Sequence, residues 1–263
     1  MSIAEKYDGF IFDLDGTVYR GDNLIAGADH TINYLKENNK KVIFISNKTT
    51  GSARDYFNIL KNYGVNAELN EIVTATITIR KYLSALHAGQ TFFAIGEDLF
   101  IQEITDGGLK YSDNPGEVDI VLITLDRYIT PEKVTTAASA LMRGARFFAA
   151  NIDMTCPVED GEIVDAGTTI NDLEQRTNRR LEDHFGKPSM YMMREISERI
   201  SIPKEKLLLL GDRLETDIKM ANSYGIDSAL VSTGVSHASL SDNSVKPTYY
   251  LNSVYDLLTA NGR

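Results

Sequence analysis

The chain has 263 residues, a formal net charge of −10 and a hydrophobic fraction of 43%, values typical of a folded globular protein rather than a disordered one. No apolar run approaches the ~18 residues that suggest a membrane span, and the acidic balance disfavours nucleic acid or an anionic membrane as the main partner. The first residues lack the basic and apolar regions of a signal peptide. A single cysteine, Cys156, excludes an intramolecular disulfide, so a reducing, cytoplasmic location is expected.

Seven short apolar runs predict buried strands of parallel sheets, because they are too short for helices and rich in β-branched and aromatic residues. In chain order they lie at residues 10–12, 42–45, 92–95, 120–123, 147–150, 207–210 and 229–231. The segments between them have apolar residues at helical spacing, such as Ala28, Ile32 and Leu35. This alternation predicts an α/β fold with a mainly parallel sheet. Residues 102–118, rich in Gly, Asp, Asn and Pro, are predicted to be loops.

The first run ends in two carboxylates, Asp13 and Asp15, followed by Gly16 and Thr17. Residues two apart on a strand point to the same side, so both acids can face a pocket beyond the carboxyl edge of the sheet, where α/β proteins bind ligands. Two carboxylates there repel each other unless a cation joins them or one takes a proton. A solvated Asp-Gly turn is the alternative for these residues taken alone.

The second run ends in polar residues just before a predicted helix. Ser46, Asn47 and Lys48 follow the strand, and a hydroxyl, an amide and backbone N–H groups at a helix start suit an anionic oxygen ligand. An ordinary helix N-cap accounts for the same residues without any ligand.

Two later segments add a cation and two further acids. Lys187 lies between a glycine and a proline ahead of a predicted helix, so its ammonium can be held at one point, although a surface lysine is the better interpretation of this residue taken alone. Asp212 follows the run at 207–210, and Asp217 comes five residues later. This pattern suits an oxygen-coordinated hard cation, with helix capping as the alternative for Asp217.

Together, the order and spacing of the four segments resemble the haloacid dehalogenase-like hydrolase superfamily along the whole chain. Residues 13–17 (Asp-Leu-Asp-Gly-Thr) match its first motif, Ser46 its second, Lys187 its third, and residues 211–217 its fourth. The resemblance implies a Rossmann-like core with a parallel sheet.

The chain has an insertion between the second and third motifs, and in this respect it resembles the subfamily typified by the p-nitrophenyl phosphatase and NagD-type phosphatases. Within that subfamily it most resembles bacterial sugar-phosphate phosphatases. Only one helix and one strand fit between Asp13 and Ser46, whereas the interval from Ser46 to Lys187 far exceeds one crossover and contains its own apolar runs. A smaller α/β cap domain is therefore expected there. The expected domains are a catalytic core of residues 1–76 and 184–263 and a cap of residues 77–183.

The resemblance implies a Mg²⁺-dependent phosphatase that hydrolyses small phosphomonoesters, such as sugar phosphates, through a phospho-aspartyl intermediate on Asp13. Asp15 would act first as acid and then as base, and Lys187 would neutralise charge in the transition state. The implied magnesium site consists of Asp13, the backbone carbonyl of Asp15, Asp212 and, orienting the others, Asp217.

Two sets of substrate-binding residues are also implied. The core set, expected to bind phosphoryl oxygens, is Ser46, Asn47 and Lys48. The cap set, expected to contact the leaving group, is Asn151, Asp153 and Cys156, for which plain loop chemistry is the alternative. Some relatives have His at the position of Cys156, so their specificity is not transferred to this chain.

The expected partner is a small phosphomonoester, with neither nucleic acid nor a membrane. Members of the subfamily often pair through their caps, which makes a homodimer an option. A non-catalytic sugar-phosphate or metal-binding protein and a nucleotide monophosphatase of the same fold remain as alternatives.

Overall fold

Strands and helices alternate along most of the chain in the computed structural model, which describes residues 2–158, 161–234 and 244–259. The strands are β1 (Gly9–Asp13), β2 (Tyr19–Arg20), β3 (Asn23–Leu24), β4 (Lys41–Ser46), β5 (Ile72–Thr74), β6 (Thr91–Ile95), β7 (Lys110–Tyr111), β8 (Ile120–Ile123), β9 (Arg146–Ala149), β10 (Thr155–Val158), β11 (Gly161–Val164), β12 (Asp183–His184), β13 (Leu207–Gly211), β14 (Asp227–Val231) and β15 (Tyr249–Leu251). The α-helices are α1 (Ile3–Lys6), α2 (Ala28–Glu37), α3 (Ala53–Asn62), α4 (Ala75–Leu86), α5 (Asp98–Asp106), α6 (Pro131–Met142), α7 (Ala166–Thr177), α8 (Met190–Ile200), α9 (Lys219–Tyr224) and α10 (Asp256–Thr259). The predicted α/β class is confirmed.

The first sheet has six strands in the order β15-β14-β13-β1-β4-β5. β1 pairs in parallel with both β4 and β13, and β1 and β13 are buried along their whole length. In this register Asp13 lies opposite Ile45, and Phe12 lies opposite Leu210. The residues that follow these three strands therefore meet at one edge of the sheet.

The second sheet has five parallel strands in the order β12-β9-β8-β6-β7. Ile95, Ile123 and Ala149 are aligned across its three central strands, so Thr124 and Ala150 lie side by side just beyond the carboxyl ends of β8 and β9. The aromatic side chains of Phe93 and Phe147 are part of the apolar core on this sheet.

Contacts between residues divide the chain into two compact units, each with its own sheet. The first unit is Met1–Ser46, Ala53–Val73 and Lys187–Arg263, and the second is Asn47–Ser52 and Thr74–Gly186. The short segment after β4 thus groups with the second sheet, although it connects two elements of the first unit.

The structure corrects one prediction about the chain's secondary structure. Residues 102–106 belong to helix α5, and Lys110–Tyr111 form an edge strand, so the expected loop at 102–118 is wrong in its first part. Phe100 and Ile104, one helical turn apart, are both fully buried, and this packing outweighs the polar composition. Among the described residues, every helix is too short or too polar to cross a lipid bilayer.

Candidate active site

Polar side chains follow the three central strands of the first sheet at its carboxyl edge. Asp13 ends β1, Ser46 ends β4, and Asp212 comes directly after β13. All three side chains are buried, although the surrounding strands are apolar. Burying charged groups is costly unless they are paired or bind a cation.

Lys187 provides the positive charge at this edge. Its Nζ donates hydrogen bonds to Asp13 Oδ1 at 2.5 Å and to Asp217 Oδ1 at 2.8 Å, and only 4% of the lysine is exposed. Asp217 is itself fully buried, and its Oδ2 accepts a hydrogen bond from the backbone N–H of Arg213 at 3.2 Å. The lysine is therefore held between two fixed carboxylates.

Three carboxylates lie close enough together to share one cation. Asp13, Asp212 and Asp217 each offer an oxygen, and these oxygens lie within 4.8 Å of one another. With all three ionised and Lys187 protonated, the cluster has a formal charge of −2. The oxygen ligands and the net charge of −2 both fit Mg²⁺, a divalent cation that prefers oxygen ligands in octahedral geometry.

The pKa values reflect this crowding of acids. Burial raises the pKa of Asp13 well above its usual range, Lys187 opposes the rise, and the charges of Asp217 and Asp212 add to it. Burial alone would lower the pKa of Lys187, but Asp13 and Asp217 outweigh it and raise the pKa instead. The ammonium therefore stays charged, and a bound cation would favour the ionised form of Asp13.

Three glycines leave room for the carboxylates of this cluster. A Cβ atom at Gly234 or Gly16 would overlap the Asp212 carboxylate, and a Cβ at Gly211 would overlap Asp217. Gly16 also has a φ of +93°, which L side chains rarely adopt. Packing around the acids therefore depends on residues that have no side chain of their own.

Two threonines fix the loop after β1. Thr233 Oγ1 donates to the carbonyl of Gly16 at 2.6 Å, and Thr17 Oγ1 lies 3.5 Å from Asp13 Oδ2. Thr233 belongs to the Thr-Gly pair that follows the apolar run at 229–231. Asp15, predicted beside Asp13, is half-buried in this loop.

The other predicted site residues belong to the second unit. Asn47 Nδ2 donates to Asp153 Oδ2 at 2.8 Å, and Asn151 Nδ2 lies within 3.1 Å of the same oxygen. Lys48 is half-buried beside Asn47. Cys156 lies buried on β10. The structure thus brings Asn47, Asn151 and Asp153 together in one group of hydrogen bonds.

The fold and the first-unit site define a class of protein: an α/β enzyme with a strand-end aspartate, a buried lysine and further acids at the carboxyl edge of a parallel sheet. Comparisons with known proteins agree with this class. Residues 10–110 match the family model described as haloacid dehalogenase-like hydrolase, and residues 184–257 match the HAD-hydrolase-like family.

Individual relatives are similar along nearly the whole chain. Sugar-phosphatase AraL of Bacillus subtilis is 31% identical, over 95% of this chain and 91% of the relative. The crystal structure of a 4-nitrophenylphosphatase from Thermotoga maritima has 30% identity and a TM-score of 0.90, covering 99% of both chains. A glycerol phosphate phosphatase from Mycobacterium tuberculosis, solved in complex with magnesium, has 29% identity and a TM-score of 0.87, covering 98% of this chain and 78% of that one.

The chain belongs to the haloacid dehalogenase-like hydrolase family. Within that family it is a phosphoric monoester hydrolase of the NagD and p-nitrophenyl phosphatase type. The resemblance of the sequence to the superfamily and its resemblance to this subfamily are both confirmed.

Proposed function

We propose that this phosphatase depends on Mg²⁺ and hydrolyses sugar phosphates and similar small esters through a phospho-aspartyl intermediate on Asp13. The observation that supports this most is the buried contact of Asp13 with Lys187, inside a group of acids that includes Asp212 and Asp217. The sugar-phosphatase relatives support the substrate class, and the magnesium-bound structural relative supports the metal.

In the first half-reaction, a carboxylate oxygen of Asp13 attacks the phosphorus atom, and the bond from phosphorus to the ester oxygen breaks. Asp15 donates a proton to that departing oxygen. Lys187 stabilises the charge that spreads over the phosphoryl oxygens in the transition state. When bound, Mg²⁺ would supply positive charge that keeps Asp13 ionised and that the phosphoryl oxygens share.

In the second half-reaction, water attacks the phosphorus atom of the phospho-aspartate. Asp15, now ionised, takes a proton from that water, and the bond between phosphorus and Asp13 breaks to release inorganic phosphate. One carboxyl group can do both tasks because its protonation state alternates between the two steps.

The remaining roles follow the sequence predictions. Ser46, Asn47 and Lys48 would bind phosphoryl oxygens, and Asp13, Asp212 and the Asp15 carbonyl would bind the metal with Asp217 orienting them. We propose residues 77–183 as a cap that excludes water and contacts the leaving group, and 1–76 with 184–263 as the catalytic core. A cytoplasmic location, a homodimer through the cap and the lack of nucleic-acid or membrane partners stay predictions.

The proposal is tested with p-nitrophenyl phosphate and a panel of sugar phosphates, nucleoside monophosphates and phosphoglycolate. We expect turnover that EDTA abolishes and Mg²⁺ restores, with sugar phosphates as the best natural substrates. Absence of EDTA-sensitive turnover on every compound would refute the enzymatic proposal. A clear preference for nucleoside monophosphates would instead refute the substrate class.

The two half-reactions can be separated with Asp15→Asn. p-Nitrophenolate leaves without a proton, so this variant should release about one equivalent of p-nitrophenolate per enzyme and then stop, because hydrolysis of the intermediate requires the base. Its affinity for Mg²⁺ should stay near that of the wild type, since only the backbone carbonyl of Asp15 is assigned to the metal. Steady turnover after the burst would contradict the role of Asp15, and loss of Mg²⁺ binding as large as in Asp212→Asn would contradict the ligand assignment.

A further inference from the structure

Side-chain hydrogen bonds in the second unit link Asn47 to Thr49 through three other residues, and the backbone of residues 47–49 completes a ring. Asn47 Nδ2 donates to Asp153 Oδ2 at 2.8 Å, and Asn151 Nδ2 donates to the same oxygen at 3.1 Å. Thr124 Oγ1 donates to Asn151 Oδ1 at 3.0 Å. Thr49 and Thr124 share a hydroxyl contact of 2.6 Å, which closes the ring two residues after Asn47.

The ring is anchored to rigid parts of the second unit. Thr124 directly follows β8, and Asn151 lies two residues after the end of the neighbouring strand β9. Asn151 Nδ2 also donates to Asp165 Oδ1 at 3.0 Å, and Asp165 is the N-cap of helix α7. The backbone of Asp153 is fixed as well, because its carbonyl accepts from the N–H of Gly167 at 2.8 Å.

Because the ring is buried, one arrangement of its hydrogen bonds is strongly favoured over others. The exposed fraction is 1% for Thr124, 1% for Asn151 and 2% for Thr49, so each lost hydrogen bond would leave a polar atom away from water. Gly186 adds a steric limit, since a Cβ there would lie 2.5 Å from Asn47 Oδ1. Asn47 and Thr49 are therefore held on either side of Lys48.

We infer that Asp153 and Asn151 are positioning residues for the phosphate-binding segment 46–48, rather than residues that distinguish one leaving group from another. This inference rests on the proposed function of that segment. The Asn151 amide forms hydrogen bonds with the ring and its anchor: its oxygen accepts from Thr124, and its nitrogen donates to Asp153 and Asp165. Asp153 acts on the segment through Asn47.

The two roles differ in their effect on inorganic phosphate, which has no leaving group. If Asp153 positions the phosphate-binding segment, Asp153→Ala should raise the inhibition constant of inorganic phosphate and the KM of every substrate by a similar factor, about 10-fold for one lost charge-assisted hydrogen bond. Asp153→Asn should retain more affinity, because an amide oxygen can still accept from Asn47. Asp172→Asn, an exposed carboxylate on α7 of the same unit, is the matched control and should leave both constants unchanged.

A double-mutant cycle tests whether Asp153 acts through Asn47. The double variant Asn47→Ala/Asp153→Ala should bind phosphate no more weakly than Asn47→Ala alone, because the second substitution removes a partner that is already lost. Thr49→Val opens the opposite side of the ring and should weaken phosphate binding about 3-fold. Circular dichroism and the melting temperature establish that each variant is folded.

Two results would overturn the inference. One is an unchanged phosphate constant in folded Asp153→Ala with altered relative kcat/KM values across the substrate panel, which is the behaviour of a leaving-group contact. The other is full additivity in the double-mutant cycle. Calorimetric binding of inorganic phosphate with Mg²⁺ gives the same comparison without turnover, so failure of the proposed catalysis in the wild type is distinguished from failure of the ring.

Discussion

The carboxyl edges of the two parallel sheets differ in the kind of polar group that lies there. At the first edge, charged groups dominate: three carboxylates have oxygens within 4.8 Å of one another, and two of these carboxylates contact the buried ammonium of Lys187. At the second edge, two threonine hydroxyls, two asparagine amides and one carboxylate form a ring of hydrogen bonds with one another.

The same structural feature, the carboxyl edge of a parallel sheet, can therefore have two different physical roles. The first edge leaves a deficit of positive charge, which favours binding of a cation. Together with Lys187, that cation would then attract an anionic substrate. At the second edge, the polar groups of the ring form hydrogen bonds with one another, which favours a role in fixing geometry rather than in the reaction itself. Three tests of the first edge and one at the opposite edge of the same sheet follow, in order of decreasing effect.

The largest effect is expected from Asp13→Asn, which removes the nucleophile while keeping the shape of the side chain. We expect kcat on p-nitrophenyl phosphate to fall at least about 10⁴-fold. Asp8→Asn is the matched control, since Asp8 precedes the same strand and pairs with Lys40 at 3.0 Å on the surface. If Asp13→Asn retains more than about a hundredth of the wild-type turnover, Asp13 is not the nucleophile.

Adding Mg²⁺ should stabilise the first unit by filling its charge deficit. At a concentration about 100 times the dissociation constant, the free energy of unfolding should rise by about 2.7 kcal/mol. Denaturant unfolding with and without EDTA measures this rise, at matched ionic strength. An equal rise in Asp212→Asn would show that the cation binds elsewhere.

Gly234→Ala should displace the Asp212 carboxylate, because the new Cβ would occupy its place. We expect the Mg²⁺ concentration for half-maximal activity to increase about 10- to 100-fold, as for other changes that disturb the orientation of a metal ligand. Gly116→Ala is the control, since the nearest atom to a Cβ there lies at 3.4 Å. Unchanged metal dependence in Gly234→Ala would mean that Asp212 tolerates the shift.

The smallest effect concerns Asp227, which begins β14 at the opposite edge of the first sheet. Burial raises its pKa, but hydrogen bonds from Tyr7, Thr248 and Lys6 outweigh burial and lower it. A lowered pKa stabilises the fold at pH values above the unfolded pKa of about 4, and this gain is lost as the pH falls through the folded pKa.

Asp227→Asn should therefore reduce the free energy of unfolding by about 1 kcal/mol at pH 7, a value kept small because the carboxylate is partly exposed. The difference from wild type should vanish at acidic pH. Urea unfolding across this pH range measures it, with exposed Asp22→Asn as the control. A constant difference at every pH would mean that the carboxylate charge is not the cause.

The sequence predicted much of the first edge because its residues lie at strand ends in short, fixed patterns. Asp13, Ser46 and Asp212 each follow an apolar run, and adjacent parallel strands bring such positions to one edge. The contact of Lys187 with both Asp13 and Asp217 could not be predicted from spacing, because it joins groups from three distant segments.

The second edge was predicted less well. Asn151 and Asp153 were recognised as candidates, but their partners Thr49 and Thr124 were not, because a threonine after a strand has no distinctive spacing. Hydrogen bonds such as that from Thr124 to Asn151 depend on the alignment of β8 with β9.

The amino-acid sequence by itself determined the α/β class, the positions of seven strands and the family, since hydrophobic periodicity and motif spacing are local properties of the chain. Only the tertiary structure decided that Asn47–Ser52 groups with the second sheet and that glycines make room for the carboxylates. Both depend on distances between residues far apart in the chain, which pairing of strands and packing of side chains fix only after folding.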